Sequence, residues 1–348
     1  MANIDISKLK KFINRNSFML HSADDKLSVT HIDFWIDVIS KAQIDFSILV
    51  RDENSFKKLI KQYPNMQICY AKNPIDVENV VNAQPDLKVV LYTTNLAKNI
   101  HLLRFNHLKH IFIGTKNSEW LSQFNKSYRA YDEIWCGGEF VINRIKEAIG
   151  NIGHLEFKIV GKPQLKEIFQ NFSTQNKSSL VLIDTNNGLL LEKIYYANNL
   201  LKNKIYLYLP KEKNTLKNEL LNVAKSQGYA NNIKIFDNKE LVDEFVNKTS
   251  YIITDLKNLN PYLLSYNLPL IVYTEKEIDK YLIEPNILQD ALYYFNTKDE
   301  LLDILSSLNN NEDIIKEERE KTTNYIFNQE AILNDNFIRN INKENIEK

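Results

Sequence analysis

Cysteine is nearly absent from this sequence. Cys69 and Cys136 are the only two in 348 residues. Both fall in short apolar runs, I-C-Y and I-W-C, that read as strands, so buried free thiols in a reducing cytosol are expected rather than a disulfide framework. Charge of one sign is also lacking. Lys plus Arg and Asp plus Glu each number 44, which leaves no net field to draw the chain to nucleic acid or to an anionic bilayer. No apolar run approaches the roughly 20 residues of a membrane span. The opening M-A-N-I-D-I-S-K-L-K-K-F lacks the apolar core of a signal peptide. The expected location is the cytoplasm, with at most peripheral contact at the inner face of the plasma membrane. The short cluster Lys8, Lys10, Lys11 and Arg15 reads as a solvated helix face. Histidine stops at His154, which removes imidazole chemistry from the second half. No His, Cys or acidic pair has metal-ligand spacing, so no metal site is expected.

Glycine is scarce too, and its placement is informative. Of eight, Gly114, Gly137, Gly138, Gly150, Gly153 and Gly161 lie within 114–161, and none precedes them. Glycine supplies positive φ and close backbone approach, so the special turns of the first half are concentrated there.

What is present is an alternation of short β-rich runs with helix-patterned segments. Phe46–Val50, Met66–Tyr70, Lys88–Tyr92, Lys109–Ile113, Glu133–Cys136 and Phe157–Val160 read as strands, with helices at Glu53–Gln62 and Phe140–Ile149. The polar stretch Asn171–Ser179 interrupts the pattern. It resumes with strands at Leu180–Ile183, Lys204–Leu209, Ile233–Phe236, Ser250–Thr254 and Leu268–Tyr273. The expectation is α/β: a domain over 1–170, a linker over 171–179, a second domain over 180–320 and a helical segment over 321–348. Ile314–Ile341 is long, charged and helical in pattern. In open parallel sheets ligands bind beyond the carboxyl ends of the strands, which places Gly114 and Gly137 at such an edge.

The stretch from Leu108 to Arg144, with Val160-Gly161-Lys162-Pro163 after it, resembles the CDP-glycerol glycerophosphotransferase family. The resemblance covers most of residues 30–275. It implies two facing Rossmann-like domains of GT-B type with an interdomain cleft, the acceptor on the first and the donor on the second. It also implies transfer of an alditol phosphate in capsule or teichoic-type polymer synthesis. The family's loop Ile-Gly-His-Gly-Asp-Ser-Asp-Lys aligns with Ile113-Gly114-Thr115-Lys116-Asn117-Ser118-Glu119-Trp120, so Thr115 stands where the resemblance implies a histidine general base. Threonine does not accept a proton near neutral pH. Glu119 is the nearest substitute, ahead of His107 and His110, and its alternative is a helix cap. Lys116 suits a phosphate as a point charge. Tyr131–Gly138 is similar to a second family segment, in which Gly137 and Gly138 either open an anion pocket or form a structural turn.

On the donor side the family's Arg-Pro-His-Pro element corresponds to Tyr206–Lys211 without Arg or His. Its Thr-Asp-Tyr-Ser-Ser element becomes Thr254-Asp255-Leu256-Lys257-Asn258, where Lys257 brings charge and Asn258 an amide donor. Asp184–Gly188 replaces a further segment, making Thr185 and Asn186 donor-binding candidates. The implied partners are a CDP-alditol or nucleotide sugar and a glycan or lipid-linked glycan. Magnesium on the donor phosphates is the one cofactor left open. Three functions compete: phosphate or sugar transfer from a nucleotide-activated donor, a non-catalytic relative that binds nucleotide, glycan or a partner enzyme, and an ordinary nucleotide-sugar glycosyltransferase.

Overall fold

The computed structural model describes residues 16–115, 124–170, 178–183, 188–209, 214–226, 228–238, 242–276 and 286–346. The chain divides into two compact units. Met1–Lys166 joins Tyr325–Lys348 in one, and Glu167–Asn324 forms the other.

The first unit is built on a parallel sheet of seven strands: β1 Phe18–Ser22, β2 Phe46–Val50, β3 Gln67–Tyr70, β4 Val89–Tyr92, β5 Lys109–Phe112, β6 Glu133–Cys136 and β7 Glu156–Ile159, in the order β3-β2-β1-β4-β5-β6-β7. β1 escaped the sequence reading. Its five residues are all buried, yet F-M-L-H-S carries too little β-branched character to stand out. It is nevertheless the strand on which the sheet turns. The helix Ser28–Lys41 follows it and buries Ile32, Trp35, Ile36 and Ile39 at the spacing of one helical face. Asp52 caps Glu53–Gln62 through the Ser55 N–H at 2.7 Å. Asn73 and Asp76 form a capping box at Pro74–Asn82.

The stretch of helical pattern over Ile314–Ile341 is divided among three helices: Lys316–Phe327, Gln329–Leu333 and Asn336–Ile346. Asn328 (φ 47°) and Asp335 (φ 55°) break it, since the left-handed region ends an α-helix and Asn and Asp tolerate it. Phe337 and Ile341 of the last helix join Trp35, Ile111, Trp135 and Val160 in the core of the first unit. Phe337 stacks on Trp35 at 4.8 Å and meets Trp135 edge-on at 5.3 Å.

The same helix is held by charge. The Glu344 carboxylate accepts two hydrogen bonds from Lys109 Nζ, each at 2.8 Å, and one from Lys158 at 3.2 Å. Both lysines also meet Glu133, at 2.7 and 2.9 Å. Two glycines admit this C-terminal stretch. A Cβ on Gly138 would lie 2.4 Å from the Tyr325 carbonyl oxygen, and one on Gly161 (φ 73°) 2.5 Å from Ile332 Cγ1.

The second unit repeats the plan with six parallel strands: β8 Ser178–Leu182, β9 Lys204–Tyr208, β10 Ile233–Phe236, β11 Tyr251–Asp255, β12 Leu270–Tyr273 and β13 Tyr293–Phe295. Their order is β10-β9-β8-β11-β12-β13. β8 takes in Ser178 and Ser179, the end of the expected linker, whose residues 171–177 lie outside the described residues. β13 was not expected; at three residues it is too short to show a period. Its own core, centred on Val181, Ile194, Leu207, Ile253 and Leu305, marks this unit as separate from the first.

Candidate functional site

In each sheet the strand order reverses between the first and fourth strands, β1 and β4 in one, β8 and β11 in the other. Loops leaving such a point part to opposite faces and open a crevice at the carboxyl edge.

In the first unit that edge is densely polar. His21 near the end of β1 is 1% exposed and its Nδ1 lies 2.9 Å from the Leu49 carbonyl. Burial pushes its pKa down to about 3, against the bond to Leu49, so the ring is neutral at physiological pH. Ser22 follows. Its hydroxyl meets the Ser28 hydroxyl at 3.0 Å and His31 Nδ1 at 3.4 Å. Ser28 Oγ also reaches the Asp24 carbonyl at 2.5 Å. The Asp24 carboxylate accepts the N–H groups of Lys26 and Leu27 at 2.7 Å each, turning the chain into the helix. Burial lowers the pKa of His31, and the charge of Asp24 opposes it.

Arg51, just after β2, is 3% exposed. It donates to the carbonyls of Ala71, Lys98 and Lys72, and its Nη2 lies 3.0 Å from His101 Nδ1. It ties three loops of the edge together. His101 accepts from a cation here, and its pKa is lowered by burial and by Arg51. The Thr94 hydroxyl, beyond β4, is buried without a hydrogen-bond partner among the described residues.

Farther along the same edge, Gly114 follows β5 with φ 67°. Its carbonyl accepts the Trp35 Nε1–H at 2.7 Å, and the Thr115 carbonyl accepts Lys162 Nζ at 3.0 Å. Lys162 is 2% exposed, its ammonium 5.9 Å from the ring centres of Phe34 and Trp35. The start of the loop is therefore anchored from two elements. Lys116, Asn117, Ser118 and Glu119 lie outside the described residues. Gly137 and Gly138 follow β6, which pairs with β5, so the two glycine turns are neighbours. The open side of Gly138 holds the backbone of Tyr325 and Ile326.

The histidines weighed as substitutes for the base are not at this edge. His110 sits at the opposite end of β5, 4% exposed, with Nδ1 2.9 Å from the Tyr92 hydroxyl and Nε2 3.2 Å from the Phe105 carbonyl. His107 precedes that strand. Both are removed as candidates.

In the second unit Thr254 and Asp255 close β11 at its carboxyl edge. The Thr254 hydroxyl donates to the Leu182 carbonyl at 2.7 Å, stitching β11 to β8. The Asp255 carboxylate accepts the Asn258 N–H at 2.9 Å and its Nδ2 at 2.8 Å. Both groups shape the turn, and Lys257 and Asn258 are exposed on it. Thr185 and Asn186 lie outside the described residues.

The sequence reading missed the Ser22, Ser28 and His31 cluster. Its signal was available as H-S-A-D-D-K-L-S-V-T-H, a polar run opening a helix, but only once β1 is recognised. Among the described residues no group of three His, Cys, Asp or Glu side chains is placed to hold a metal, and no helix is long and apolar enough to cross a membrane.

No protein-family model and no curated protein matches the chain in sequence. Solved structures do match it in fold. UDP-GlcNAc 2-epimerase from Methanocaldococcus jannaschii is 13% identical, with a TM-score of 0.61 over 94% of this chain and 99% of that one. UDP-GlcNAc 2-epimerase from Neisseria meningitidis, bound to UDP-GlcNAc, is 10% identical, with a TM-score of 0.57 over 95% of this chain and 100% of that one. A glycosyltransferase from Rickettsia africae is 11% identical, with a TM-score of 0.52 over 96% of this chain and 100% of that one. At such identities the likeness speaks to fold, and it is to the GT-B type: two Rossmann-like α/β units that together span nearly the whole chain.

Proposed function

We propose that this protein binds a nucleotide-activated donor and transfers the group it carries to a hydroxyl of a glycan. The observation that carries the reading is the repetition of one strand order in two parallel sheets, each with a switch point at its carboxyl edge. The folds similar to it over nearly the whole chain include proteins that act on or bind UDP-GlcNAc.

A nucleotide sugar is the preferred donor. Thr115 stands in place of the base that the resemblance to CDP-glycerol glycerophosphotransferases implies, and a sugar donor does not need that histidine. Exposed Lys257 after β11 offers a charge to a diphosphate. The first unit's edge offers the acceptor its hydroxyl and imidazole groups. Assembly of a surface polysaccharide on a lipid-linked glycan, at the inner face of the plasma membrane, is the setting this reading supports.

A second reading, a binding protein without turnover, is favoured by one feature. The second unit contains no histidine, and its single arginine, Arg319, is 1% exposed and paired with Asp313 at 2.6 Å. Calorimetric titration with UDP-GlcNAc, UDP-glucose, CDP-glycerol and the free diphosphates, with and without Mg2+, tests binding. A coupled assay for released nucleotide separates the two readings. Absence of binding to every nucleotide overturns both. Binding that ignores Lys257→Ala removes that lysine from the site.

A further inference from the structure

The helix Gly188–Leu200 of the second unit, G-L-L-L-E-K-I-Y-Y-A-N-N-L, is apolar on both of its faces. Leu190, Leu191, Ile194, Tyr195 and Ala197 belong to the core of that unit. On the other side Leu189 is 71% exposed, Tyr196 38% and Leu200 56%. Positions i, i+7 and i+11 fall on one stripe, about 16 Å long at the helical rise. The helix Glu139–Ile149 differs, for it turns Glu139, Asn143, Lys146 and Glu147 outward. A helix that is apolar all round is the kind that sits buried, and here one side alone is covered. Single exposed leucines need no explanation, but a continuous stripe of them marks a contact surface.

The charges around the stripe decide what it fits. Glu192 is exposed one turn before Tyr196, and the Lys298 ammonium, from the neighbouring helix Lys298–Asn309, lies 4.3 Å from the centre of the Tyr196 ring. Asp299 and Asp303 are exposed on that second helix. Carboxylates beside the cation deny this face the one-sided basic rim that holds a helix on an anionic bilayer. The face is instead complementary to itself. In an antiparallel pairing about a two-fold axis every contact occurs twice, residue i with j and j with i. The register that sets Leu189 of one copy opposite Leu200 of the other brings Glu192 within one position of Tyr196, and so next to the Lys298 that lies against that ring.

We propose that this face pairs with the same face of a second copy, joining two chains into a homodimer through their Gly188–Leu200 helices. The seam is apolar, with Leu189 and Leu200 at its ends and both Tyr196 rings between them. Glu192 and Lys298 of opposite copies pair at the rim and fix the register. One helix pair with its flanks stands near the low end of stable interfaces, about 1,200 Å² in total, so association in the micromolar range is expected.

Sedimentation equilibrium of the full chain, without ligand, tests this. The mass should rise with concentration from 40.8 kDa toward twice that value. Leu189→Glu and Tyr196→Glu put charge on the seam and should each weaken association at least about 10-fold, with the far-UV circular dichroism unchanged. Glu192→Lys and Lys298→Glu should each weaken it about threefold or more. An equal mixture of those two variants should regain the parent's affinity, because each copy then supplies the charge that its partner lacks. Mixing does not mend a fault within one chain. A protein that stays monomeric at every concentration overturns the proposal. A dimer indifferent to Leu189→Glu and Tyr196→Glu also overturns it, as does a mixture that associates no better than its components. The readout needs no nucleotide, so its failure leaves the transferase reading where the titrations put it.

Discussion

Trp35 donates its indole N–H to the carbonyl of Gly114, 79 positions later in the chain, at 2.7 Å. The ring that makes this bond stacks on Phe337 and lies 5.9 Å from the Lys162 ammonium. One side chain on the first helix thus fixes the start of the loop after β5 and seats the C-terminal helix.

Replacing Trp35 by Phe retains a stacked ring and removes the N–H, leaving the Gly114 carbonyl short of a partner. A loss of about 1–3 kcal/mol is expected from the unmet hydrogen bond, read as a lower urea midpoint with an unchanged slope. Trp35→Ala should cost more, about 3–5 kcal/mol, because it also opens the core. If Trp35→Phe melts with the parent, the bond to Gly114 contributes nothing to stability.

Gly138→Ala drives a methyl into the backbone of Tyr325 and Ile326, whereas Gly150→Ala meets open space and strains only its own positive φ of 67°. The first should cost about 1–3 kcal/mol through overpacking, the second about 1–3 kcal/mol through strain at a backbone conformation outside the left-handed helical region. Hydrogen exchange separates them. Gly138→Ala should speed exchange across residues 325–346, and Gly150→Ala should not. Equal protection of that segment in both proteins would show that Gly138 does not seat it.

Burial alone would raise the pKa of Glu133, but hydrogen bonds from Lys109, Trp135 and Lys158 carry it below its ordinary value of 4.5. A depressed carboxyl stabilises the fold above its unfolded value and loses that stabilisation as pH falls through the folded one. Lys109 is shifted the other way. Burial lowers it, and Glu133 and Glu344 raise it further, so its contribution persists up to 10.5 and fades above its folded value. The tie between sheet and C-terminal helix should therefore be flat through neutral pH and weaken below about pH 4.5 and in strong base. Glu133→Gln should cost about 1.5–3 kcal/mol at pH 7 and flatten the acid limb of stability. An acid limb as steep as the parent's would assign it to other carboxylates.

Asp24→Asn keeps an acceptor for the N–H groups of Lys26 and Leu27 but removes the charge that opposes the effect of burial on His31. The His31 pKa should fall, read by NMR titration of its ring. A rise of that pKa would contradict the placement of Asp24 beside His31.

The fold was legible where strands are long and apolar. Phe46–Val50 and Ile233–Phe236 appear where the pattern places them, because buried parallel strands must be apolar on both faces. β1 was not, since it includes the buried polar residues His21 and Ser22, which meet Leu49, Ser28 and His31 from elsewhere in the chain. The same gap hid His31, which acquires meaning only beside β1. Gly114 was legible from its position after a strand. Gly138 drew attention for the right reason, a need for close approach, but what approaches it is backbone nearly 190 positions away.

The boundary between Asn324 and Tyr325 falls within the helix Lys316–Phe327, and the first unit reclaims the chain from that point. The second unit is thus an insertion in the first. During synthesis, Trp35 and Trp135 leave the ribosome long before Phe337, the residue that covers both. The second unit can complete its core while the first still waits for its last helix, which reverses the usual order in which domains mature from the amino terminus. A nascent chain arrested before residue 337 would lack the ring that both indoles meet in the finished core.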